Sequence, residues 1–239
     1  MNTSAERRVV AATMGPTIHD VHAWRFTVAP GAIEVLADPA RLRPRHDPAG
    51  RGLHLSCGAA LVNLRLAAAQ LGHEAVVRLL PDAERPTLLA TVRLAGRHRV
   101  TRAERLLFAA TLKPFAARRP AAGGPPPLPV LNELGEAARL EGATLHTLGP
   151  AGADVRPAVL TTRGSSPAEW LRAGQALQRV LLTGVARSVS ASFRYDVTDV
   201  PALEHGDVPQ VVLELVSTAL PPRAEGRQHE RQGDPDRVG

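Results

Sequence analysis

The chain has 239 residues, enough to bury a core as one large domain or two small ones, with the 44% apolar and 22% charged content of an ordinary globular protein. A net charge of +6 and a pI near 10.9 would suit a polyanionic partner. However, the arginines are scattered, Lys113 is the only lysine, and 3% aromatics leave little to stack on bases, so the reading is against nucleic acid.

The lone Cys57 excludes an internal disulfide and a cysteine-rich zinc cluster, and suits a reducing cytoplasm. Polar residues interrupt every apolar run before it reaches the length of a membrane span, and MNTSAERRVV has no apolar signal region, so no membrane is expected.

Thr3 to Glu6 has capping-box spacing and predicts a short helix to about Thr13, ended by Gly15-Pro16. WRFTV (24–28) and IEVLA (33–37) flank a Pro-Gly turn as a hairpin. SCGAALVNLRLAAAQLG (56–72) reads as a central buried helix, with Ser56 as N-cap and Gly72 just past its end. EAVVRLL (74–80) and TLLATVRLA (87–95) read as strands, and RAERLLFAATL (102–112) as a helix capped by Thr101. The Pro/Gly-rich stretch 113–129 reads as a linker without regular structure. A helix at VLNELGEAARLEG and strands at ATLHTL and AVLTT follow it. Ser166-Pro167-Ala168-Glu169 opens a helix to about Ala186, PQVVLELVS (209–217) is the last strand, and the tail from about Leu220 is expected to be disordered. The order gives an α+β fold with a mixed or antiparallel sheet. The expected units are a first half over 1–112, the linker 113–129, a second half over 130–219 and a tail over 220–239.

The densest chemistry lies in GPTIHDVHAWRF (15–26). His19 and His22 could share a metal with His46, Asp47 or His54, but no HExxH-like frame is present and the segment reads as a loop entering a strand. The pattern favours imidazoles that satisfy backbone groups, and no metal is expected. Cys57 reads as packing, no serine sits in a G-x-S-x-G turn, and no Walker A loop is present. Arg118-Arg119 and Arg223 could grip a phosphate, or could be solvated surface arginines.

Pro16, His19 and Trp24, then Asp47-Pro48, Gly50-Arg51, Leu53 and Ser56-Cys57-Gly58-Ala59-Ala60-Leu61, follow a spaced pattern. That pattern resembles the Acg-like branch of the nitroreductase superfamily. AARRP (116–120), EWLRAGQALQRVLLT (169–183), VPALE and PQVVLEL continue the likeness over roughly residues 4–223. The resemblance implies a nitroreductase-like sheet wrapped by helices and built from two half-repeats, here unequal because the second is shortened. It also implies FMN bound between the halves, or between two subunits as in the shorter relatives, with NADH or NADPH as reductant and a nitro or quinone-like acceptor. The flavin would carry the chemistry, with no catalytic side chain. Carried over residue by residue, Thr17, His19 and Asp20 would contact the flavin or its ribityl chain, and Arg118, Arg119 and Arg223 its phosphate. Asp20 stands for an Asn, His22-Ala23 for Gln-Pro, and Ser188 for a Gly. These departures keep open a second reading, a non-catalytic relative that sequesters flavin or has lost it. The shortened half predicts a homodimer.

Overall fold

An apolar strand with Glu34 turned outward builds one arm of the first hairpin. Ile33 and Val35 are buried while Glu34 between them faces outward, so β2 (Ala32–Ala37) pairs with β1 (Trp24–Ala29) in antiparallel register, Trp24 opposite Ala37. The computed structural model describes residues 23–29, 32–41, 45, 47–113, 123–149, 155–198, 200 and 207–218. The expected helix before Thr13 and the tail beyond Leu220 lie outside them.

β2 continues through β4 (Leu88–Arg97) to β3 (His73–Leu79), giving an antiparallel sheet of order β1-β2-β4-β3. Helix α1 (Arg51–Gln70) lies between β2 and β3 in sequence. After α2 (Arg102–Thr111) and α3 (Leu128–Arg139) a second antiparallel sheet follows. Its strands are β5 (Thr144–Thr147), β6 (Arg156–Thr162), β7 (Val189–Arg194) and β8 (Val208–Ser217), in the order β5-β6-β8-β7. Helix α4 (Pro167–Ala186) lies between β6 and β7. The two units share strand order, helix placement and a register shift opposite the end of the second strand, after Val35 in one and after Leu160 in the other. The fold is α+β, with two antiparallel sheets and four α-helices among the described residues.

Helices α1 and α4 pack against each other and each against its own sheet, and α1 is central and buried as expected. Both are apolar on two sides. In α1 only Arg51, His54, Arg65 and Gln70 escape full burial. By length and mean hydropathy α1 could cross a membrane, contrary to the expectation that no run comes near one, yet 89% of its apolar window is buried inside the fold.

The helices meet backbone to backbone. A Cβ on Gly58 would sit 2.1 Å from the Leu171 carbonyl oxygen, and one on Gly174 2.0 Å from that of Leu55. Each glycine is the eighth residue of its helix, so the crossing is reciprocal. Beyond it, the Gln178 side-chain amide donates to Asn63 Oδ1 at 2.7 Å, and Val62 and Leu66 pack with Leu182 and Ala110. The helices therefore run parallel, with both N-termini at one end of the seam.

Local signals explain most boundaries. Thr101 and Glu104 close a reciprocal cap on α2, and Ser166 caps α4 by accepting from the Glu169 backbone N–H. Ser56 is not a cap. α1 begins five residues earlier, where the Asp47 carboxylate accepts the Gly52 and Leu53 N–H groups at 3.0 and 2.9 Å, and Ser56 is buried within the helix. The stretch read as a structureless linker contributes the first residues of α3 and a bridge between Gly124 and Ser217. Strand β7 was not anticipated from the sequence.

Candidate functional site

Ala23, the first described residue after the signature segment, leads into β1 at the end of the sheet where β2 runs out toward α1. In the second unit the β6–α4 turn, the end of β7 and the start of β8 lie at the corresponding end. Because α1 and α4 are parallel, Ala23, the β6–α4 turn, Tyr195 and the start of β8 lie at one end of the seam, its mouth.

Arg51, the first residue of α1, closes that mouth from within. Its guanidinium donates to the Tyr195 carbonyl at 3.1 Å, to Gln210 Oε1 at 3.2 Å and to the Gln210 carbonyl. The fork thus ties the first unit to two strands' ends in the second. Burial pulls the Arg51 pKa below its ordinary value, opposed by the charge of Tyr195 and Asp47. Gln210 also donates to Thr162 Oγ1 and the Gly164 carbonyl, so its amide is committed.

Beside Arg51, His54 donates through Nδ1 to the Gly50 carbonyl at 2.6 Å and meets Trp170 of α4 edge to face, 5.6 Å between ring centres. Burial lowers the His54 pKa, and the Gly50 bond opposes that shift. Trp170 donates to Ser165, and Tyr195 packs edge to face on Phe193, its phenol pushed up by burial. Among the described residues the mouth thus gathers flat side chains, and the half-buried Arg51 is spent on internal hydrogen bonds. Both helix N-termini are occupied, by Asp47 on α1 and by Ser166 with Pro167 on α4, and offer no cradle for a phosphate.

The alternatives raised by the sequence resolve in part. Asp47 caps a helix and His54 satisfies a carbonyl, and no group of three metal-binding side chains occurs among the described residues. His19, His22 and His46 lie outside them. Cys57 is fully buried, and desolvation pushes its thiol far up, which makes it packing rather than a nucleophile. Thr17, His19, Asp20, Arg118, Arg119 and Arg223 all lie outside the described residues.

Their attachment points are nevertheless informative. The nearest described residue after Asp20 is Ala23, at the mouth. The nearest to Arg119 and Arg223 are Gly123 and Thr218, beside the Gly124–Ser217 bridge at the opposite end. Gly123 and Thr218 thus flank one bridge of the second sheet, and Ala23 precedes the first strand of the other sheet. Sequence reasoning missed Arg51 and Gln210 as the tie across the seam. Arg51 stood in the recognised pattern, but nothing local announces a partner 159 residues away.

No family model matches the chain. It is similar to a Mycobacterium tuberculosis protein provisionally named NAD(P)H nitroreductase Rv3131, 40% identical over 81 residues, which are 34% of this chain and 24% of that protein. It is also similar to the provisionally named NAD(P)H nitroreductase acg of the same organism, 31% identical over 117 residues, or 49% of this chain and 35% of that one. The uncharacterized protein Rv3127, also from M. tuberculosis, is 29% identical over 116 residues, 47% of this chain and 34% of its own length. The matches thus span a quarter to about a third of these relatives. They relate the chain to the Acg-like branch of the nitroreductase superfamily.

Proposed function

We propose that the chain is an FMN-dependent oxidoreductase of nitroreductase type, using NADH or NADPH to reduce a nitro or quinone-like acceptor in the cytoplasm. The observation that carries this reading is the seam. Two units of matching topology meet along α1 and α4, and the Acg-like resemblance implies a flavin held between two such halves. When bound, the flavin supplies the hydride transfer. The chain's part is to bind and orient it. Thr17, His19 and Asp20 would contact the ring system or ribityl chain from the mouth, beside the flat faces of Trp170 and His54. Arg118, Arg119 and Arg223 would hold the phosphate through paired forks. The capped helix ends fit this division, since they leave the phosphate to side chains. The proposal includes a homodimer.

The departures at Asp20, His22-Ala23 and Ser188 favour the second reading, a non-catalytic relative that sequesters flavin or has lost it.

One experiment separates the readings. The freshly purified chain is scanned for flavin absorption, then scanned again after incubation with FMN and removal of the excess. Retained FMN, with affinity markedly weakened by Arg118→Ala/Arg119→Ala, is the expected result. A folded chain that refuses FMN would end the oxidoreductase reading, and FMN binding unaffected by the double substitution would overturn the phosphate assignment.

A further inference from the structure

At the far end of the seam from the mouth, α1, α4, β3 and the start of α2 enclose a cleft of about 340 Å³, within the range of small-molecule sites. Val62, Leu66, Ala69 and Leu107 give it an apolar lining. On the α1–α4 side stand Arg65 and Arg179. Both donate through Nη1 to the side chain of Glu141, at 2.7 and 3.0 Å, and Glu141 is only 4% exposed. Arg65 Nη1 also approaches Gln175 Oε1 at 3.4 Å. One buried carboxylate thus fixes two guanidiniums by one nitrogen each. Among the described residues, Nε and Nη2 of both are left unbonded, and the pair carries one positive charge beyond Glu141. On the β3–α2 side stand Glu74, Glu104, His73 and His98. Glu104 is already bonded to His98 and to the Thr101 backbone N–H and hydroxyl.

We propose that this cleft binds a small organic monocarboxylate, its carboxylate on the unspent faces of Arg65 and Arg179 and its apolar body against Val62, Leu66, Ala69 and Leu107. The arrangement selects the ligand's charge pattern. A single carboxylate meets the excess positive charge, while a second one across the body would face Glu74 and Glu104 and be repelled. The proposal does not rest on flavin binding, since it is built only on described residues, none of which the resemblance assigns to FMN.

The test is calorimetric titration of the full chain with benzoate and with terephthalate, which adds a second carboxylate at the far end. Benzoate is expected to bind. Terephthalate, and benzoate to Arg65→Gln, should each show a Kd raised at least about tenfold. Ala103→Trp, at an exposed rim position that leaves the arginines and Glu141 untouched, should weaken benzoate as much by filling the opening. FMN should not displace it. Absence of benzoate binding up to about 10 mM, equal affinity for terephthalate, undiminished binding by a folded Ala103→Trp, or competition by FMN would each overturn the assignment.

Discussion

Two residues past the end of α4, Ser188 holds φ at +56°, and two residues past the end of α1, Gly72 holds φ at +78°. The same left-handed turn ends both central helices, but only the first uses the residue that adopts it without a Cβ penalty. The Ser188 carbonyl accepts from the backbone and hydroxyl of Thr218, so the turn is pinned to the end of β8 and the strain is not relieved by fraying. Left-handed backbone costs an L-residue about 1–2 kcal/mol, and glycine returns part of that gain through the freer unfolded chain. Ser188→Gly is therefore expected to raise stability by about 0.5–1 kcal/mol, read as a higher urea midpoint at unchanged slope, while Ser188→Ala gains nothing. A midpoint that does not move would mean that contacts of the serine side chain offset the backbone term.

At the scale of elements, the α1–α4 crossing is the least forgiving feature. An alanine at position 58 or 174 would gain up to about 1 kcal/mol in helix propensity. Its Cβ, however, would meet main-chain oxygen near 2 Å from the facing helix, which no rotamer change can relieve. Forced separation of the helices dominates, and Gly58→Ala or Gly174→Ala should each cost about 3 kcal/mol, checked by denaturant titration. Gly135→Ala, on an open face of α3 with nothing within 4 Å of its Cβ, is the control and should not destabilise. Most of this layer is legible from sequence, because caps and periodicity are local: Thr101, Ser166 and Gly72 announce their helix ends. Ser56 misled because a good capping residue sits inside a segment whose true cap, Asp47, lies before a Pro and a Gly and acts through its side chain alone. Strand β7, VSASFR, has too few large apolar residues to show alternation, and its place is set by pairing with β8. The candidate site was legible only through the family pattern, since the Arg51–Gln210 tie and the Arg65–Glu141–Arg179 cluster join residues remote in sequence.

Taken whole, the two units cannot be separate folding domains. Leu55 of α1 belongs to the core built on the second sheet, and Leu171 of α4 to the core built on the first. The chain has two tryptophans, Trp24 in the first unit and Trp170 in the second, so each can report alone when the other is replaced by phenylalanine. Fluorescence midpoints of the two single-tryptophan variants should coincide with one another and with the circular-dichroism transition; separated midpoints would show that the units unfold independently. The interlock also bears on synthesis. When the ribosome has made α1, the helix that covers its second apolar face is still unmade, and α4 is complete only 116 residues later. At about 5–20 residues per second, the nascent first unit keeps that face uncovered for on the order of ten seconds. On a crowded polysome the α4 of a neighbouring, more advanced chain can take the vacancy, which makes an exchanged pair the characteristic error of this fold.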